Sequence, residues 1–145
     1  MQDLSTLSQI FLYGLMALMG LFSLIVFGWQ IMVLRGKSME NADGSVDSWH
    51  EQKSHYGMAV ADVFLACPVC IVGIVLVVIN PRWGFYLLSM VSFWFVWANT
   101  MTTTTSLRFE KPKLTLNWWI TFPAGIVIGL AFILWTILHF DVIYF

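Results

Sequence analysis

The sequence predicts an all-α membrane protein, a four-helix transmembrane bundle with both termini on the non-cytoplasmic side. Three observations predict it. Four apolar runs, residues 10–34, 56–79, 84–106 and 118–138, take up most of the 145 residues, and each reaches the roughly 20 residues that a helix needs to cross the hydrocarbon core. Hydrophobic residues make up 59% of the chain and charged residues 10%, far from the soluble mixture of about half apolar and a quarter charged. The basic residues also segregate. Arg35, Lys37 and Lys53 flank the first loop, Arg108, Lys111 and Lys113 fill the third, and Arg82 alone lies on the other side. Lys and Arg hold loops in the cytoplasm, so loops one and three are expected inside and both ends outside, in the cytoplasmic membrane if the chain is bacterial.

The four helices are expected at about 8–34, 48–80, 84–106 and 118–138, within a single transmembrane domain spanning residues 1–145. Only residues 35–55 form a sizeable aqueous segment, too short for an independent catalytic domain. Any chemistry must then lie inside the bundle, at its rim, or in a partner. The first run is expected to be retained as a helix: residues 1–8 carry Asp3 and no Lys or Arg, and the run exceeds the 7–15 residues typical of a signal core. Both cysteines fall within one span, so no disulfide framework is expected. A net charge of −1 gives no basic footprint for nucleic acid.

Along helix one, Gly14, Ala17, Gly20 and Ser23 recur every three residues, and small residues let helices approach. Gly36, Asn41, Asp43 and Gly44 mark the first loop as turns. Ser48 and Glu51 then read as a capping box, the serine oxygen taking an orphan amide while the glutamate reaches back to the serine N–H. Helix two ends at Asn80-Pro81, with Gly84 expected to permit a tight reversal, so that helices two and three form a hairpin. Helix three closes on Asn99 and a threonine run whose hydroxyls bond back to helix carbonyls. Trp118 and Trp119 place the start of helix four at the interface, and Pro123 lies within a turn of that start, where proline is tolerated.

On helix two, Glu51, His55, Asp62 and Gly73 fall within about 40° of one another at 100° per residue. Asp62 lies about 9 Å beneath the cytoplasmic surface at 1.5 Å per residue. Insertion scales charge about 2.5–3.5 kcal/mol for an acid at a helix centre, so Asp62 is expected to face the bundle and find partners. Asn99 and Thr103, at about 13 and 8 Å from the same surface, are the expected partners. Three readings are open: a proton or cation relay from Glu51 and His55 inward to Asp62, a metal site built from the same three, or a buried hydrogen-bond knot that fixes how helices two and three pack. The metal reading carries the least weight. His50 and His55 resemble a zincin His-Glu-x-x-His motif with one residue too many, which turns the second imidazole about 140° away from the first.

Cys67-Pro-Val-Cys70 has the thiol spacing of many redox proteins. With four helices, this tetrapeptide resembles the disulfide-generating quinone reductases and the vitamin K epoxide reductase family. That resemblance implies a membrane thiol–quinone oxidoreductase using Cys67 and Cys70, but the chain lacks the second cysteine pair of those families. The plainer reading makes both cysteines small core residues beside a kink at Pro68. Tyr86, Phe93 and Trp97 line one face of helix three, where either a quinone or another lipid-like molecule stacks or the rings simply face lipid. Gly125 and Gly129 allow close helix contact, expected to face outward to a partner or to a second copy.

By elimination of soluble domain, metal set, complete redox relay and nucleotide loop, the first expectation is a small accessory or stabilising subunit of a larger membrane complex. The alternatives are a proton- or cation-coupled transporter or channel using Asp62, and the thiol–quinone enzyme.

Overall fold

The computed structural model describes residues 4–38, 44–46, 48–110 and 112–145. Asp3, Asn41, Asp43 and Lys111, used in the sequence reading, lie outside the described residues. Every assigned element is helical: α1 Thr6–Leu34, α2 Trp49–Ala61, a π-helical turn Asp62–Ala66, α3 Cys67–Ile79, α4 Pro81–Thr105, a second π-helical turn Ser106–Glu110, α5 Leu116–Thr121, α6 Ala124–Leu138 and α7 Phe140–Tyr144. Among the described residues, two helices are long and apolar enough to cross a membrane, Thr6–Leu34 and the continuous rod His50–Ile79. α4 is 25 residues long, but its serines, Asn99 and threonines hold its mean hydropathy down. α6 is apolar and has only 15 residues.

Local chemistry sets the boundaries. Ser5 caps α1, its hydroxyl accepting from the Ser8 N–H. α1 ends in a Schellman arrangement: Gly36 N–H bonds Val33 O and Lys37 N–H bonds Met32 O, with Gly36 at φ 89°, a conformation that costs glycine nothing. The Ser48–Glu51 capping box is present in both halves.

Three boundaries differ from expectation. The rod expected to be continuous from 48 to 80 widens just before Pro68, where the Cys67 N–H reaches back to the Asp62 carbonyl. A proline without an N–H, whose ring presses on the preceding turn, favours such a wide turn. The reversal into α4 needs Asn80 alone, at φ −143° and ψ 84°, because Pro81 starts the next helix with φ already suited to it. Gly84 is therefore no turn residue; it is buried, and a Cβ there would strike the backbone of Leu76 and Val77. Pro123 is not absorbed within helix four but divides it into α5 and α6.

α4 is the central element, packed against both α3 and α6, while α1 lies against α2, α3 and α6. The core between them is built from Leu12, Met19, Cys70, Val77, Phe85, Leu88, Phe95 and Phe132. Phe85 stacks on Trp135 with centroids 5.6 Å apart, and Phe22 tilts onto Phe95 at 5.3 Å. His139, just past α6, touches Ser8 near the start of α1, so α1 begins where α6 ends.

The α4–α6 contact is made by the two glycines of α6. A Cβ on Gly125 would overlap the Asn99 side chain, and one on Gly129 would lie 2.6 Å from Ser92 O and 2.8 Å from Val96 Cγ2. The expected outward face of Gly125 and Gly129 is thereby corrected. Both are buried and bring α6 against α4 of the same chain. Of the small residues on α1, a Cβ added at Gly20 would lie 3.2 Å from Ile74 Cδ1 while one at Gly14 would meet nothing within 4 Å, so that stripe supports close packing only over its second half.

Candidate functional site: a buried carboxylate between three helices

Asp62 opens the π-helical turn, and its side chain points between α1, α3 and α4. It is 8% exposed. The Gln30 amide of α1 donates from Nε2 to Asp62 Oδ2 at 2.8 Å, and the Trp94 indole of α4 lies near the same carboxylate. Taking a charged carboxylate out of water is expensive unless hydrogen bonds replace the lost solvation, and the Gln30 amide supplies part of that replacement. Trp94 is itself fixed by an edge-on contact with Phe95, at 5.1 Å and 86°.

The expected partners are elsewhere. Asn99 donates to Phe95 O at 2.8 Å, four residues back on its own helix, and its side chain packs on Gly125. Thr103 is buried with no hydrogen-bond partner for its hydroxyl. Asn99 lies about 140° around α4 from Trp94, which explains the outcome: the Trp94 side of α4 faces Asp62, and the Asn99 side faces α6. A helical wheel of α4 gives both faces but not which neighbour each one meets.

Glu51 and His55 stand nearer the end of the rod. Glu51 is exposed and occupied in the capping box, taking the Ser48 N–H on Oε2 at 2.6 Å. The Ser48 hydrogen bonds, side chain first and backbone second, hold its carboxyl below the usual range, with His55 adding a smaller electrostatic pull. His55 is half-buried. The predicted stripe is thus one sealed acid with two titratable groups about 10 and 16 Å away along the rod. Among the described residues, no group of three His, Cys, Asp or Glu side chains converges as a metal set would.

Cys67 and Cys70 follow within two turns of Asp62, both buried and both free thiols. The Cys70 Sγ lies 3.9 Å from Met19 O, a weak contact that ties α3 to α1. Tyr86, Phe93 and Trp97 are exposed, turned away from the core. Helix α4 closes through Ser106, whose hydroxyl accepts from the Trp118 indole at 3.0 Å.

Gln30 was not picked out from the sequence, and Trp94 was read only as a neighbour of Trp97 in the aromatic face of helix three. Gln30 left a usable signal: it is the only amide in the first apolar run after Gln9, four residues before the run ends at Leu34. That places it about 6 Å below the surface from which Asp62 lies about 9 Å deep. The chain matches no protein-family profile, no curated protein sequence and no solved structure. Fold and site together define a helical protein with, among the described residues, two helices long and apolar enough to cross a membrane and a carboxylate sealed between helices.

Proposed function

We propose that this chain is a small proton-coupled membrane transporter or channel that takes up and releases a proton at Asp62. In this reading α1, the α2–α3 rod, α4 and the α5–α6 pair all cross the bilayer, with loops one and three in the cytoplasm and both termini outside. The surface supports the crossing. Large apolar side chains stand bare on each rod, among them Leu21 at 58%, Val78 at 74%, Phe93 at 66% and Val127 at 67%. A soluble monomer rarely leaves such surface uncovered, whereas lipid covers it.

The observation that carries the proton reading is that the side chain hydrogen-bonded to the sealed Asp62 carboxylate is a donor, the Gln30 amide. A metal cation needs several oxygen ligands, and an N–H donor repels it. A proton needs only the carboxylate. An ionised carboxylate accepts hydrogen bonds and a protonated one also donates, and a primary amide offers both an NH2 and a carbonyl oxygen. By turning over, Gln30 satisfies Asp62 in either state. Glu51 and His55 stand between Asp62 and the end of the rod, the outer stations of the relay. The π-helical turn at Asp62 adds weight, since such turns occur often at functional sites. The glycine pair expected to meet a partner is occupied inside the chain.

The test is infrared difference spectroscopy of the full chain in lipid, stepping the pH with 13C-labelled aspartate. A carboxylic C=O band that titrates reversibly and vanishes in Asp62→Asn supports the reading. A spectrum unchanged by that substitution removes it.

A further inference from the structure

Where α1 begins and α6 ends, three groups stand in line. His139 Nδ1 lies 2.8 Å from the Trp135 carbonyl, and Nε2 lies 3.2 Å from Ser8 Oγ. A carbonyl only accepts, so Nδ1 holds the proton of the neutral ring and the Nε2 lone pair faces the Ser8 hydroxyl. The ring is fixed by stacking on the Trp135 indole, with centroids 4.3 Å apart and planes at 21°. From the other side, the Ser5 hydroxyl donates to Ser8 Oγ at 3.0 Å, which favours negative charge on that oxygen. Capping of α1 does not call for His139, because Ser5 already takes the Ser8 N–H.

A hydroxyl aligned on an imidazole nitrogen, with the other nitrogen oriented by an acceptor, is the nucleophile, base and orienter arrangement of acyl transfer. Ser8 and His139 are half-buried, and exposed Leu7, Phe11 and Phe140 flank them, a surface suited to an acyl chain. The first-turn N–H groups of Thr6 and Leu7 precede any intrahelical acceptor and are donors of the kind that stabilise an oxyanion.

We propose that Ser8 is an activated nucleophile, with His139 as its general base, that accepts the acyl group of an amphiphilic ester at the membrane surface. Ser8 Oγ bonds the ester carbonyl carbon as its proton passes to His139 Nε2. The C–O bond to the alcohol breaks, and the departing alkoxide takes that proton. Water, deprotonated by the same nitrogen, then releases the fatty acid and restores the Ser8 hydroxyl. The proposal is independent of the reading of Asp62.

The test treats the full chain in nanodiscs with an alkyl fluorophosphonate and locates the adduct by peptide mass spectrometry. We expect an adduct on Ser8 that persists in Ser5→Ala, is absent in Ser8→Ala, and forms about 10²-fold more slowly in His139→Gln. The glutamine amide still reaches Ser8, so a purely structural contact would survive that change. No adduct on Ser8 of the parent, equal adducts on Ser5 and Ser8, or parent-rate labelling of His139→Gln overturns the proposal and leaves a clasp between α1 and α6. If His139→Gln does not fold, hydrolysis of p-nitrophenyl octanoate decides: turnover lost in Ser8→Ala at an unchanged melting temperature supports the proposal, and turnover equal in the two proteins overturns it.

Discussion

The Gln30 amide and the Asp62 carboxylate meet at 2.8 Å across 32 residues of sequence, joining α1 to the start of the π-helical turn. Removing one side of such a contact leaves the other unsatisfied, at about 1–3 kcal/mol for a buried group. Asp62→Leu should therefore lower stability by about that amount, through Gln30 rather than through Asn99 or Thr103. Asp62→Asn should keep the fold. Thermal unfolding in detergent checks both, and pairing each change with Gln30→Leu gives the coupling energy directly.

Gly129→Ala should destabilise the isolated chain, because its Cβ would lie 2.6 Å from the Ser92 carbonyl, and backbone shifts of this kind cost about 1–3 kcal/mol. Gly14→Ala meets nothing within 4 Å and should be neutral or stabilising by up to about 1 kcal/mol, the helix propensity difference. Equal melting temperatures for the two variants would contradict the α4–α6 contact.

Much of the backbone could be read from residue types acting locally. The Ser48–Glu51 box, the glycine after α1 and the back-bonded threonine hydroxyls of Thr102 and Thr104 each depend on atoms within a few residues. Asp62 was legible as a buried acid because desolvation is severe enough to dictate its direction. Its partners were not, because the rotation of each rod is set by the whole core. The same holds for Gly125 and Gly129, whose spacing announces a close approach without naming the neighbour.

Cys67 and Cys70 should stay reduced and resist water-soluble alkylating reagents, being 2% and 0% exposed. Mass spectrometry after maleimide treatment should find neither modified until the chain is unfolded. Rapid modification in the native state would place water at the start of α3.

The proposed orientation rests on six basic residues in or flanking loops one and three against Arg82 alone. A reporter active only in the cytoplasm should be silent when fused after Phe145 and active when placed in the first loop. The opposite pattern would reverse the bundle.

The central claim, that a proton passes by way of Asp62, is tested most directly by flux. The chain is reconstituted into liposomes holding a pH-sensitive dye, and a pH gradient is imposed together with a potassium shunt. The parent should dissipate the gradient faster than empty liposomes, and Asp62→Asn, folded and inserted alike, should fall to the empty-liposome rate. Asp62→Asn conducting as fast as the parent would contradict the account.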